Sequence, residues 1–420
     1  MIYEKFYAFF SLVIIVYPQS MVNALAIKRV TVVGGGAAGL IAADNLLRKG
    51  FEVVILEKSS DIGGIWRYSP EGSSAMYDSL RTNLPTELMS IHPLKPFDIR
   101  SKTSYATHSD VFHYLKAFTI DQKLLSSIYF NCDVSNVEKI GSEWYATYSS
   151  PTGDNQVISD AILICNGHFS KEYIPHNPKV SFDSFPGEII HSMKYDKLKR
   201  NNHFRHKRIL VIGSRSSGTD IARELLSSDA AAVHISMRSI QVSVIDSLPP
   251  RHPSIIGVTT DGRLIMSDGI ILDIDIILLC TGYEYSFPFL SNSIIDIENG
   301  KRVKPLYLQL FPLNDLSIAF IGLPFSVTPF PLFHIQSLFV SELYSESFSL
   351  PDVDDRIEWL SQEEQRLKDL DLFLDKYHYL GGESQWNYLT NLLNMMGYQG
   401  RLYGFIGNIS FIIIKFINHY

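Results

Sequence analysis

Six residues, Gly34-Gly35-Gly36-Ala37-Ala38-Gly39, constrain this chain more than any other stretch. They follow a β-branched, apolar run at 29–33 and precede a helical pattern over 40–49, which Gly50 ends. Strand, glycine turn and helix in that order predict the opening βαβ unit of a nucleotide-binding sheet. Gly34 allows the tight turn, Gly36 a close backbone approach to a pyrophosphate, and Gly39 the packing of helix on strand. An acid is then due about 20 residues on to bind ribose hydroxyls. Glu57 stands there, at the end of a second apolar run over 53–56. A carboxylate in that place selects a free 2′-hydroxyl, as in FAD or NAD.

The pattern recurs downstream. A strand-like run at 208–212 leads into Gly213-Ser214-Arg215-Ser216-Ser217-Gly218, a helical stretch over 219–226 and a further strand at 233–237. The outer glycines are kept, but Arg215 takes the middle place, so its side chain must point away or contact phosphate itself. No acid ends the next strand. Arg238 stands just beyond it instead, and arginine there suits a 2′-phosphate, so NADPH over NADH. Two dinucleotides on one chain imply electron flow between them, with the flavin carrying the chemistry. The expected fold class is α/β with two Rossmann-like dinucleotide-binding domains.

Composition removes several other classes. The net charge is −7 and no long basic block exists, which argues against a nucleic-acid surface. Residues 197–208, rich in Lys and Arg, read as a solvated linker. Cys132, Cys165 and Cys280 form no C-x-x-C pair, which excludes a dithiol flavin reductase. Cys165 and Cys280 end strand-like runs and are expected as buried free thiols. No metal-ligating constellation is read, and nothing marks an oligomer interface. Residues 6–17 are apolar but too short to span a bilayer, and Ala24-Leu25-Ala26 supplies a cleavage pattern. A signal peptide over 1–26, cut after Ala26, is expected to send the chain to the endoplasmic reticulum lumen or outside the cell; the alternatives are an uncleaved anchor, or a start at Met21 that would leave it cytoplasmic. Asn408-Ile409-Ser410 is then an available glycosylation sequon. The apolar tail, 401–420, contains Lys415 and reads as an amphipathic or packed segment, with no firm membrane span.

A third stretch, Phe185-Pro186-Gly187-Glu188-Ile189-Ile190-His191-Ser192-Met193-Lys194-Tyr195, carries a family likeness. It matches F-x-G-x-x-x-H-x-x-x-Y, the signature of the flavin-containing monooxygenases, at every fixed position and precedes the second loop. Gly63-Gly64-Ile65-Trp66, Asn83-Leu84-Pro85, Asn166-Gly167-His168, Cys280-Thr281-Gly282-Tyr283 and Phe320-Ile321-Gly322 fit as well, so the chain resembles that family from about 28 to about 400. Leader and length look like those of the insect senecionine N-oxygenase group. The plant S-oxygenase branch is similarly compact and also tolerates a non-glycine residue at the Arg215 position.

The resemblance implies a glutathione-reductase-like arrangement, the NADP domain inserted in the FAD domain. The FAD domain would comprise 27–171 and 283–400, the NADP domain 172–282. It implies that NADPH reduces FAD, that dioxygen then gives a C4a-hydroperoxyflavin, and that a small amine or sulfide attacks its distal oxygen. Gly34, Gly35, Gly36, Ala37, Ala38 and Gly39 would serve the FAD pyrophosphate, Glu57 its ribose, and Gly64, Ile65 and Trp66 the flavin side. Asn83, between Thr82 and Leu84, would act catalytically beside flavin and NADP. Gly213, Ser217, Gly218, Thr219, Asp220 and Arg238 would bind NADPH, with Thr281 and Gly282 at the cofactor junction. A residue-level alternative for Asn83 is an Asx-type turn before Pro85, and His191 reads as structural. His334 lies near Gln336, where the family usually carries an acid. A ketone-inserting Baeyer–Villiger enzyme is the first rival, though its fingerprint ends in tryptophan where Tyr195 stands. A secreted nucleotide-binding protein that has lost catalysis is the second.

Overall fold

β1 (Arg29–Val33) is buried from its second residue onward, as a strand covered on both faces must be. The computed structural model in which it is seen describes residues 27–70, 75–91, 97, 104–175, 182, 184–237, 249–370 and 376–398. β1 centres a parallel sheet of order β22–β7–β1–β2–β3, with β2 (Glu52–Leu56), β3 (Ile128–Tyr129), β7 (Ala161–Ile164) and β22 (Ile318–Phe320). Side chains alternate between its faces. Val30 and Val32 meet helices α1 (Ala37–Arg48), α2 (His108–Asp121), α5 (Pro329–Tyr344) and α7 (Glu383–Met395). Val33 and Ile162 meet the antiparallel sheet of β4 (Asp133–Ile140), β5 (Glu143–Ser150) and β6 (Gly153–Ser159).

A second parallel sheet has the order β12–β11–β10–β16–β9. Its strands are β9 (Glu188–His191), β10 (Arg208–Ile212), β11 (Ala232–Ser236), β12 (Arg251–His252) and β16 (Ile276–Leu279). The helices α3 (Tyr195–Arg200) and α4 (Ser216–Leu226) lie in this unit, and α4 supplies Ile221, Ala222 and Leu225 to one core face. The opposite face packs on β13 (Ile255–Val258), β14 (Leu264–Met266) and β15 (Ile271–Leu272). Both sheets thus put a first strand in the middle and place the return strand, β7 or β16, on the far side of it. That reversal of strand order is where α/β sheets bind ligands. All strands of the second sheet fall between β7 and β22 in sequence, so the second unit is inserted in the first. The two crossings, β8 (Lys171–Glu172) and β17 (Tyr283–Glu284), pair antiparallel. Two further ribbons, β18 (Asp296–Glu298) with β19 (Arg302–Lys304) and β20 (Leu306–Tyr307) with β21 (Phe311–Pro312), precede β22, and α6 (Val353–Asp369) follows α5.

Between β15 and β16, Asp275 turns back to accept the Arg208 N–H at 2.7 Å and pairs with its guanidinium. One local reading is corrected. Residues 197–200 are the last turn of α3, not linker: Lys199 pairs with Glu224, and Arg200 with Asp196 at 3.2 Å. No helix among the described residues is long and apolar enough to cross a membrane.

His378 sits in the segment before α7 and exposes nothing. Its Nε2 accepts the Val303 N–H at 3.0 Å, so the proton resides on Nδ1, 3.1 Å from Gln309 Oε1. Burial pushes this imidazole from 6.5 down to about 3. The unfolded chain therefore takes up a proton first as pH falls, and the stability His378 contributes is present above 6.5 and lost toward about 3. Thermal midpoints measured from neutral pH down to about 4.5 are expected to fall further for the wild type than for His378→Asn, which has no such proton to bind. Parallel curves would remove His378 from the acid response.

Candidate nucleotide sites

Gly34 has φ +106°, and a Cβ there would stand 2.7 Å from the Cys165 carbonyl oxygen at the end of β7. Gly39 is more constrained still: its Cβ would lie 1.9 Å from the Gly34 oxygen. Gly35 faces Glu57, which accepts its N–H at 2.6 Å, and a Cβ on Gly35 would press on that carboxylate. Ser59 donates its N–H to the other Glu57 oxygen at 2.7 Å, and its hydroxyl donates there too. An ionised carboxylate offers roughly four lone-pair directions. Three are taken, so the buried Glu57 has about one left for a ligand hydroxyl. Gly36 and Gly64 meet backbone to backbone: a Cβ on Gly64 would be 3.0 Å from Gly36 Cα, and Gly63 N–H donates to Gly35 O at 2.9 Å. The segment with Gly64, Ile65 and Trp66, a single turn of 3-10 helix, is thereby fastened to the loop. Trp66 is half-buried against the first core, as are Ala38 and Leu84.

The second loop reproduces this frame. Gly213 has φ +115°, with a built Cβ 2.4 Å from the Cys280 oxygen at the end of β16. A Cβ on Gly218 would lie 2.0 Å from the Gly213 oxygen. Thr219 returns its hydroxyl to Ser214 O at 3.1 Å, while Ser217 and Asp220 are exposed. Burial pushes the Cys280 thiol up to about 12, so it stays protonated at neutral pH. Arg238 lies outside the described residues, as do the 1–26 leader and the 401–420 tail.

Helix ends sort the sites further. α2 begins with a Thr107–Asp110 capping box, and Asp352 caps α6. α1 and α4 start at Gly36 and Arg215 with no side-chain cap and no acid in the first turn. Their N–H groups and positive dipole ends can take an anion such as a pyrophosphate. α5, which follows β22, also starts uncapped, a feature the sequence reading missed although Thr328-Pro329 signals a helix start.

Thr82 and Asn83 divide their labour. Thr82 is buried, bonds its hydroxyl to Leu84 O at 2.8 Å, accepts the Ala106 N–H at 3.1 Å, and so makes the turn itself. Asn83 is exposed and makes no hydrogen bond to another described residue, so it forms no Asx turn. Thr281 donates to Tyr173 O at 2.5 Å, and Gly282 O accepts both Tyr173 N–H and His191 Nε2–H at 3.0 Å. These two residues hold the strand crossings and His191, a role sequence reasoning did not assign. His191 is buried, accepts the Met193 N–H at 3.2 Å on Nδ1, and its basicity is lowered by burial. Gln336, fully buried, accepts the Gly322 N–H and donates to Tyr388, each at 2.9 Å. That pattern needs an acceptor and a donor on one side chain, which an amide supplies and a carboxylate does not.

A family model for flavin-binding monooxygenase-like proteins matches residues 27–248 and 243–406. The chain is 34% identical over 362 residues to the flavin-containing monooxygenase FMO GS-OX-like 2 of Arabidopsis thaliana, covering 79% of this chain and 77% of that one. The structure of S-allyl-L-cysteine S-oxygenase from Allium sativum superposes with a TM-score of 0.81 at 30% identity over 88% of both chains. Tmm from Pelagibacter sp. strain HTCC7211 shares the fold, with a TM-score of 0.73 at 23% identity over 87% of this chain and 86% of the other.

The paired glycine contacts make a direct test. Gly39→Ala and Gly218→Ala are each expected to cost more than about 3 kcal/mol, because backbone must move to admit the methyl group. Gly141→Ala, with φ +63° and nothing within 4 Å, is expected to cost only about 1 kcal/mol. Equal denaturation midpoints for all three would refute the close approach.

Proposed function

The chain belongs to the flavin-binding monooxygenase-like family, and from that premise we propose that it oxygenates the sulfur of small thioethers, with small tertiary amines as a second substrate class. As a flavin monooxygenase it uses FAD, NADPH and dioxygen. One observation carries the site reading: two switch-point loops of the same build, Gly34/Gly39 on Cys165 and Gly213/Gly218 on Cys280, each feeding an uncapped helix. Support for sulfur comes from the likeness, at 30% identity, to S-allyl-L-cysteine S-oxygenase.

In this reading the first unit, 27–171 with 283–400, holds FAD, and the unit over 172–282 holds NADPH. Gly34 to Gly39 cradle the FAD pyrophosphate, and the remaining acceptor direction of Glu57 takes one ribose hydroxyl. Gly64, Ile65 and Trp66 flank the flavin. Ser217, Gly218, Thr219 and Asp220 lie along the NADPH phosphates, and Arg238 takes the 2′-phosphate. When bound, the flavin would supply the redox chemistry, by which two electrons from NADPH reduce dioxygen so that one oxygen atom goes to the thioether sulfur and the other, with two protons, to water. No protein nucleophile is required. The chain's task is to orient the reactants and keep bulk water out. Asn83, unpaired within the described residues, has its amide available for a hydrogen bond beside the reacting centre. We also propose that residues 1–26 are a signal peptide; N-terminal sequencing of the exported protein should begin at Ile27, and a retained protein beginning at Met1 or Met21 would refute this.

Purified protein is expected to carry about one FAD per chain, and NADPH oxidation is expected to rise when a dialkyl sulfide is added. A colourless protein that takes up no FAD would end this reading, and would favour a chain that has lost catalysis. Asn83→Ser is expected to keep FAD but divert turnover from sulfoxide to hydrogen peroxide. Unchanged coupling would show that Asn83 plays no part beside the flavin.

A further inference from the structure

Arg215 stands where the first loop has Gly36, and the two backbones agree: φ −76°, ψ −178° for Arg215 and φ −76°, ψ −175° for Gly36. A side chain there is unstrained, and a Cβ on Gly36 would lie at an ordinary 3.5 Å from Gly64 Cα, so what glycine gives the first loop is a bare backbone open to a ligand and not a conformation. Arg215 fills the corresponding place in the second loop with a cation. It is exposed, and it makes no ion pair with another described residue. The nearest acid on its helix, Asp220, sits 4.0 Å from Arg223 instead. A cation at an uncapped helix N-terminus is unfavourable by itself, since it meets the positive end of the dipole. An anion bound between the two would relieve both.

What Arg215 does touch lies in the other unit. Its guanidinium is 5.7 Å from the centre of the Phe325 ring. Phe325 is fixed: its N–H donates to His378 O at 2.9 Å, its carbonyl accepts Leu380 N–H at 3.2 Å, and its ring lies 5.7 Å from that of Tyr379. A contact to an aromatic ring supplies no oxygen or nitrogen acceptor, so the guanidinium N–H groups stay open for a bidentate anion.

We propose that Arg215 is a pyrophosphate-binding residue of the NADPH site, backed by Phe325, which replaces by a direct charge contact the close backbone approach that the missing glycine would have given. This rests on the reading of the second loop as the NADPH site. It also ties that nucleotide to the first unit through the Phe325 ring.

The test uses FAD-loaded protein and the oxidised nucleotides NADP+ and NAD+, whose dissociation constants are read calorimetrically. Both carry the pyrophosphate and only NADP+ carries the 2′-phosphate. Arg215→Ala is expected to weaken both by a similar factor, about 10- to 100-fold. Arg215→Lys should recover part of the loss, and Phe325→Leu should weaken both nucleotides less than Arg215→Ala does. Arg238→Ala, by contrast, should weaken NADP+ alone. FAD content and thermal midpoint report whether each variant is folded. Loss of NADP+ alone in Arg215→Ala would move the contact to the 2′-phosphate and overturn the proposal. Unchanged binding of both would make Arg215 a surface residue and overturn it as well. A wild type that binds neither nucleotide would refute the NADPH reading of the loop, and the proposal with it.

Discussion

The contact on which the rest depends is a helix glycine resting on a loop carbonyl. Gly39 approaches Gly34 O so closely that a methyl group would lie 1.9 Å from it, and Gly218 repeats this on Gly213 O at 2.0 Å. That approach seats each helix over the end of its strand and aims its N-terminus at the crevice beside β7 or β16. Without it the helix would lift off, and the unpaired N–H groups would face elsewhere. The capacity of both helix ends for phosphate depends on these two contacts and on the absence of a capping side chain at Gly36 and Arg215.

The 185–195 signature has a mechanical rather than a chemical content. A Cβ on Gly187 would meet Asp275 O at 2.4 Å, so β9 lies close against the segment that leads into β16. His191 ties β9 to Gly282, where the chain crosses back to the first unit. Tyr195 is fully buried, donates to Glu224 of α4 at 2.8 Å, and meets Tyr77 of the first unit edge-on at 5.9 Å. The adjoining Asp196 accepts from Tyr68 and from the Asp78 N–H. The signature and Asp196 thus clasp Tyr68, Tyr77 and Asp78 of the first unit to the helix of the second phosphate loop. A family can keep such a pattern without any of its residues touching a substrate.

Much of the frame was legible because strand, glycine turn and helix obey short-range rules. Gly34, Gly39, Gly213 and Gly218 could be assigned their tasks from spacing alone. The order of strands within the sheets could not, since pairing across more than a hundred residues leaves no local mark. Glu57 was found as an acid in the right place, but not as one already holding Gly35 and Ser59. Asn83 and Thr82 are neighbours of similar polarity, and only packing distinguishes the exposed amide from the buried hydroxyl that makes the turn. The partner of Arg215 was equally hidden, because Phe325 is 110 residues away and belongs to the other unit.

The central claim is that two nucleotide sites on one chain deliver an atom of dioxygen to a soft nucleophile. The most direct measurement is product mass after turnover of the FAD-loaded protein with NADPH and a dialkyl sulfide under isotopically heavy dioxygen. The account predicts one heavy oxygen in each sulfoxide and close to one NADPH consumed per product. Sulfoxide with oxygen drawn from water, or NADPH oxidation that yields only hydrogen peroxide with every nucleophile offered, would contradict it.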